Sequence, residues 1–414
     1  MYKKTYQRET RRRKLLMSFV VFTIVAGAGG YVYSVADNRT SESLADRSEV
    51  ATTEPISELT ESVNQPKKTS RIIASGDTIA HGSVNENANT ATGRDYFQFM
   101  DQMKPVFDNA DVRFCNQSTL IGGEQFPISG YPDFNAPAEL AEDLVKAGCN
   151  VINTASNHSS DKSQAVIDAN VDIWAAQQNV LAVAGQNKSQ ARQNTIEHFD
   201  VDGINYAFLA YTTYSNKPPE TSFGVNIYSR EFAASQIASA RSGGADIIIT
   251  SMRWGTEYSD EANALQASEA QYLADMGVDI VLGHGPHVLG PVQRLTGDNG
   301  NETIVWHSLG NFLNTQLDAD TLFSAVAVMD VDIVTKDIVS IGYIPIYMHY
   351  EWSGEQKANN DLFARKNLEL VPLENAGELF SRSLLDTTIA EQKARMNSVL
   401  NRFIKVKELL LSEL

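Results

Sequence analysis

The chain has 414 residues, of which 43% are hydrophobic and 21% charged, enough for a sizeable packed core. Its formal net charge of −17 is unevenly spread: residues 1–14 hold seven Lys/Arg against one acid, and the remainder carries 27 basic and 50 acidic residues. An acidic body of this kind argues against nucleic acid as a partner, because phosphate binding needs clustered Lys and Arg.

Residues 15–36 contain no charge and are long enough to cross a bilayer, so a transmembrane anchor is predicted there. The basic segment before them, residues 1–14, predicts a cytoplasmic N-terminus and an outward-facing body in the cell membrane. A cleaved signal peptide is the alternative, since Ser34-Val35-Ala36 offers small residues at the right spacing. The apolar stretch is long for that role. Residues 37–70 are rich in Ser, Thr, Glu, Asn and Lys without aromatics, a composition that cannot bury a core and reads as a flexible linker.

From residue 71 onward, strand-like apolar runs alternate with helical periods. Strands are predicted at 71–75, 111–115, 150–154, 206–211, 245–250 and 279–282, and helices at 137–147, 163–177, 233–241 and 262–276. This rhythm predicts parallel strands covered by helices. Further strands at 288–295, 302–307, 323–334 and 338–346, joined by turns such as Gly297-Asp298-Asn299-Gly300, predict an antiparallel region that closes the sheet. Residues 351–414 read as a helical extension ending in a charged helix over 391–414. Cys115 and Cys149 are the only cysteines, and each adjoins an apolar run. Two buried thiols is the stronger reading; a disulfide outside the cytoplasm is the other.

Five of the seven histidines lie where an apolar run ends: His81, His158, His284, His287 and His307. Loops beyond the ends of parallel strands collect on one edge of a sheet, so these positions can meet. Asp, Asn and His gathered there is a ligand set for a metal-dependent hydrolase. His198 and His349 fall outside these junctions and read as surface or core residues.

Six stretches give the order its specificity: Gly76-Asp77-Thr78-Ile79-Ala80-His81, Asn116-Gln117 with Gly122-Gly123, Gly130-Tyr131-Pro132-Asp133-Phe134-Asn135, Ser156-Asn157-His158-Ser159-Ser160-Asp161, Arg253-Trp254-Gly255-Thr256-Glu257, and Gly283-His284-Gly285-Pro286-His287. Ser308-Leu309-Gly310-Asn311-Phe312 follows them. Over residues 71–350 the chain resembles the bacterial capsule-synthesis CapA/PgsA family, linked to poly-γ-glutamate production. The resemblance implies an α/β fold, the calcineurin-like metallophosphoesterase four-layer sandwich. It also implies a divalent metal (Mn, Fe, Zn or Mg) held by Asp77 and Asn157, with His287 and His284 closing the sphere. His158 would donate a proton to a leaving oxygen, with Asp161 and Glu257 completing the catalytic set by orienting its neighbours. His81, Asn116, Arg253 and Asn311 would line the binding site. His307 stands where relatives usually have Tyr.

Three departures bear on this. Relatives usually carry Glu at the position of Ser118, His at that of Arg253 and, in many, His at that of Gly285. Two metal ligands are thereby lost, and a fixed guanidinium repels a divalent ion. Two readings follow: an active metal-dependent hydrolase or transferase, or a protein with a degenerate site that helps assemble or export an anionic cell-surface polymer such as poly-γ-glutamate, alongside other membrane proteins of a capsule-synthesis complex. The balance falls to the second, since an open metal site needs about three protein ligands.

Overall fold

The computed structural model describes residues 67–414. Residues 1–66, which include the basic segment, the expected anchor and nearly all of the linker, lie outside the described residues. Among the described residues no helix is long and apolar enough to cross a membrane.

Six strands lead from the N-terminal side: β1 (Thr69–Thr78), β2 (Val112–Gln117), β3 (Val151–Asn153), β4 (Ala182–Ala184), β5 (Glu197–Val201) and β6 (Ile204–Thr212). They are followed by β7 (Ile247–Arg253), β8 (Ile280–His284), β9 (Val292–Thr296), β10 (Glu302–Trp306), β11 (Phe323–Asp332) and β12 (Ile338–Glu351). Two more, β13 (Lys366–Pro372) and β14 (Lys407–Glu408), lie near the C-terminus. The longer helices are α1 (Glu139–Ala147), α2 (Gln164–Ala175), α3 (Arg230–Ser242), α4 (Ala264–Asp275) and α5 (Ile389–Leu400).

The strands build two main sheets, the number a four-layer sandwich has, and the antiparallel region does not close a single sheet as expected. One has eight strands in the order β13-β12-β11-β1-β2-β3-β4, with β14 pairing with β12; the other has six, in the order β9-β10-β8-β7-β6-β5. The pairs β1/β2, β2/β3, β6/β7 and β7/β8 are parallel, as the alternation of strand and helix predicts. The antiparallel stretch divides: β9 pairs with β10 in the second sheet, and β11 pairs with β12 in the first. The residues expected to form a helical tail also supply strand β13: Leu368 and Leu370 are buried on either side of the more exposed Glu369, and Glu369 to Pro372 pair with β12. Helix there is confined to short segments and α5.

A two-residue period explains how the second sheet sits. Along β6, Tyr206, Phe208 and Ala210 join the core shared by both sheets, while Ala207, Leu209 and Tyr211 pack with Ala233 and Ile237 of α3 and Ala270 and Leu273 of α4. Phe114 of β2 meets Phe208 of β6 with ring centroids 5.9 Å apart, so the two sheets touch through aromatic rings.

Cys115 and Cys149 form a disulfide with Cα atoms 5.7 Å apart, which corrects the reading of two thiols. The reason lies in pairing: Asn150 donates its N–H to the Arg113 carbonyl, drawing the turn after α1 against β2.

Candidate functional site

Parallel strands β1, β2, β3, β6, β7 and β8 deliver the motif residues to one edge. The Gly76-Asp77 and Leu309-Gly310-Asn311 motifs explain each other there. A Cβ on Gly76 would lie 2.2 Å from the Gly310 carbonyl oxygen, so only glycine permits that approach. The close contact lets Asp77 donate its N–H to Gly310 at 2.9 Å and accept from the Phe312 N–H at 2.8 Å, fixing Asp77 beside Asn311.

Asp77 is 1% exposed, and its Oδ1 accepts from Asn116 Nδ2 and from Ser118 Oγ at 2.8 Å. His287 Nδ1 stands 2.9 Å from Oδ2, but its N–H is aligned on Asn311 Oδ1 at 3.1 Å, leaving Oδ2 without a hydrogen-bond donor. Burial pushes the Asp77 carboxyl up, yet His287, His284 and Ser118 together hold it below its ordinary value. His287 takes φ 63°, a left-handed conformation uncommon outside glycine.

Arg253 ends β7 and is 2% exposed, among the largest fully buried side chains. Its Nε donates to Asn157 Oδ1 at 2.9 Å. The face of the guanidinium lies under the Tyr214 ring, 4.6 Å from Cζ to centroid. Nη2 reaches Glu257 Oε1 at 3.4 Å, and Nη1 is buried without a hydrogen-bond partner. A Cβ at Gly285, where φ is +107°, would come within 3.0 Å of both Cζ and Nε of Arg253.

His158 donates from Nδ1 to Asp161 Oδ2 at 2.7 Å, the same oxygen that accepts the Phe134 N–H at 2.9 Å. Phe134 packs edge-on against the imidazole with centroids 4.7 Å apart. Nε2 therefore faces the opening, where Asn216 Nδ2 stands 3.3 Å away. Asn216 also donates its backbone N–H to the Asn157 carbonyl, tying the loop after β6 to the Asn-His motif.

Other expected members sit elsewhere or face inward. His284 is fully buried between the sheets, stacked on Phe114 at 5.6 Å and sharing a 2.6 Å hydrogen bond between Nε2 and Ser251 Oγ. Burial lowers its pKa to about 4, opposed by the Asp77 charge and helped by that of Arg253. It does not join the open edge as a metal ligand. His81 accepts the Thr315 N–H at 3.2 Å and meets the far side of Phe134, so it supports a loop. Burial lowers its pKa to about 3, helped by Arg365, His287 and His158. His307 is buried, with Nε2 3.1 Å from Gln293 Oε1, and takes no part in the site. His198 and His349 pair with Asn205 and Tyr347, away from it.

The donor set does not fit a divalent ion. Asp77 Oδ1 is taken by two donors and Asn157 Oδ1 by Arg253 and Ser156, which leaves Asp77 Oδ2 and His287 Nε2, two atoms where an open metal site needs about three protein ligands. A buried guanidinium shares the space. Among the described residues, no group of three or more His, Cys, Asp or Glu side chains is placed to hold a metal.

Tyr214 and Asn216 are site residues that motif reading did not single out, and Gly285 is one whose contact with Arg253 it did not give. The first two lie in an aperiodic loop, and Gly285 was noted only as a missing imidazole.

Among solved structures, the chain is similar to a phosphatase from Mycoplasma pneumoniae at 13% identity and TM-score 0.43, over 67% of this chain and 94% of that one. It is also similar to the calcineurin-like phosphoesterase YfkN from Bacillus subtilis at 14% identity and TM-score 0.36, over 80% of this chain and 98% of that one. At those scores the likeness carries no weight for chemistry. The PGA biosynthesis protein CapA of Bacillus subtilis (strain 168) is 32% identical over 169 residues, 40% of this chain and 43% of that protein. The capsule biosynthesis protein CapA of Bacillus anthracis is 26% identical over 253 residues, 58% and 59% of the two chains. The chain thus spans about half the length of these curated relatives. The model of the bacterial capsule synthesis protein PGA_cap family matches residues 71–316, well over half of the chain, and the chain belongs to that family.

Proposed function

We propose that this chain is a membrane-anchored, outward-facing component of anionic capsule-polymer biosynthesis, of the poly-γ-glutamate kind. It is held by residues 15–36 and acts in polymer assembly or export by binding rather than by metal-dependent hydrolysis. Its framework is the calcineurin-like four-layer sandwich, with the metal position given over to Arg253. The observation that carries this reading is the 2.9 Å bond from Arg253 Nε to Asn157 Oδ1, which turns an expected metal ligand toward a fixed cation. The disulfide agrees with an exported body, since such bonds persist outside the cytoplasm.

A second reading, an active metal-dependent hydrolase or transferase, is favoured by one feature: the His158–Asp161 dyad keeps the geometry of a general acid with its orienting carboxylate. Metal content separates the two. The protein is purified without chelator, assayed for Mn, Fe, Zn and Mg, and melted with and without EDTA. The binding reading expects no stoichiometric metal and no chelator effect. Near-stoichiometric metal with a melting point that falls on chelation would sink it and restore the enzyme. The Arg253→His, Ser118→Glu double variant is expected to gain metal affinity.

A further inference from the structure

We propose that the guanidinium of Arg253 is a seat for a carboxylate group of the ligand, and that Glu257 occupies this seat until the ligand displaces it. The proposal rests on the binding reading above and names the chemistry that the site takes.

The guanidinium is held on three sides. Nε is fixed by Asn157, one face lies under Tyr214, and Gly285 gives it room. The remaining edge, Nη1 and Nη2, is the fork that matches the two oxygens of a carboxylate. That edge is poorly used. Nη1 is buried and has no partner, and Nη2 has only the Glu257 contact at 3.4 Å. Charge-assisted pairs of this type normally close to about 2.7–2.9 Å. A buried donor left unsatisfied is costly, so a ligand that completes the fork gains what Glu257 does not supply. Glu257 is also accessible from solvent, with its side chain 43% exposed against 2% for Arg253.

Carboxylate is favoured over phosphate by the rest of the site. Asp77 and Asp161 are buried carboxylates of the same site, and they repel a dianion more strongly than a monoanion. A singly charged, planar group answers the fork with less repulsion. Beside the seat, His158 Nε2 and Asn216 Nδ2 are placed to meet an amide or a second oxygen of the same ligand.

The test uses the full chain in mild detergent and a fluorescein-labelled glutamate decamer as probe, followed by anisotropy, with glutarate and inorganic phosphate as competitors. Removing the occupant while keeping the seat, Glu257→Gln, is expected to tighten binding about tenfold. Arg253→Lys, which keeps the charge but loses the fork, is expected to weaken it about tenfold or more. Glutarate competes and phosphate does not. Unchanged or weaker binding by Glu257→Gln overturns the proposal, as does phosphate competing as well as glutarate. Glu257 is partly exposed, so its variant keeps the test decisive if Arg253→Lys does not fold. Metal assayed on the same samples separates the failures. Stoichiometric metal in the wild type rejects the binding reading itself, whereas metal-free protein with no response to Glu257→Gln rejects only the carboxylate seat.

Discussion

Gly285 and Arg253 lie in close contact: a Cβ at 285 would stand 3.0 Å from both Cζ and Nε of the guanidinium, and 2.7 Å from the Trp254 carbonyl oxygen. Part of the crowding at 285 therefore comes from Arg253, and part from backbone that no change at 253 removes. Gly285→His is expected to cost about 2–3 kcal/mol through the crowding and the positive φ together. Placed on Arg253→His, where the guanidinium is gone, the same change is expected to cost at least about 1 kcal/mol less. Urea unfolding of the two single variants and the double measures the coupling; strict additivity would mean the two positions are independent.

Asp161 serves two donors with one oxygen, the His158 ring and the Phe134 N–H. Asp161→Ala leaves the backbone N–H buried and unpaired, at an expected cost of about 1–3 kcal/mol. It also frees the His158 ring, so nitrogen NMR is expected to report a tautomer mixture in place of the Nδ1–H form. A single unchanged tautomer would show that Phe134 packing alone holds the ring.

With His81, two further buried imidazoles set an acid limit. Burial lowers both His284 and His307 from the ordinary 6.5 to about 4. The unfolded chain takes up these protons near pH 6.5 and the folded chain only near pH 4, so the stability they give is full above pH 6.5 and lost as pH falls toward 4. The total is on the order of a few kcal/mol. Melting temperatures from pH 7.5 down to 4.5 are expected to fall, with a shallower slope in His284→Gln. A flat profile across that range would contradict the assignment.

The Cys115–Cys149 bond spans 34 residues, and for such a loop its removal costs about 2–4 kcal/mol. The Cys115→Ala, Cys149→Ala variant is expected to unfold at correspondingly lower denaturant, and reductant is expected to shift the wild type toward it. If reductant leaves the wild type unmoved, the bond is either absent in solution or sealed from reagent, and a non-reducing peptide map tells which.

Much of the fold was readable from local pattern, because a strand's apolar run and a helix's period are written within a few residues. The strands bearing Asp77, Asn116, Arg253 and His284 stand close to where they were predicted. What was not readable depends on which strands become neighbours. The antiparallel stretch 288–346 looked like one unit and is shared between two sheets. The same limit applies to the site. Asp77, Asn157, His158, Arg253 and His287 could be named from their junctions, but that Arg253 would spend its Nε on Asn157 depends on two sheets meeting. Tyr214 carries no local signal, since its contact with Arg253 is set by a loop without period. His284 misled for a related reason: its motif neighbour His287 turns outward through a positive φ, while His284 remains in the strand and points into the core.

The reach of the first sheet beyond the family match has a practical edge. The matched region stops at residue 316, ahead of β11, the strand that pairs with β1 from Thr69 to Ala74. A gene fragment trimmed to 71–316 would strip Arg71 of its Asp330 partner and leave the strand bearing Asp77 with an open row of amides and carbonyls. Such an edge recruits other chains, so the trimmed product is headed for inclusion bodies. For this protein the boundary of recognisable ancestry falls inside the folding unit, and expression should run to the C-terminal strands.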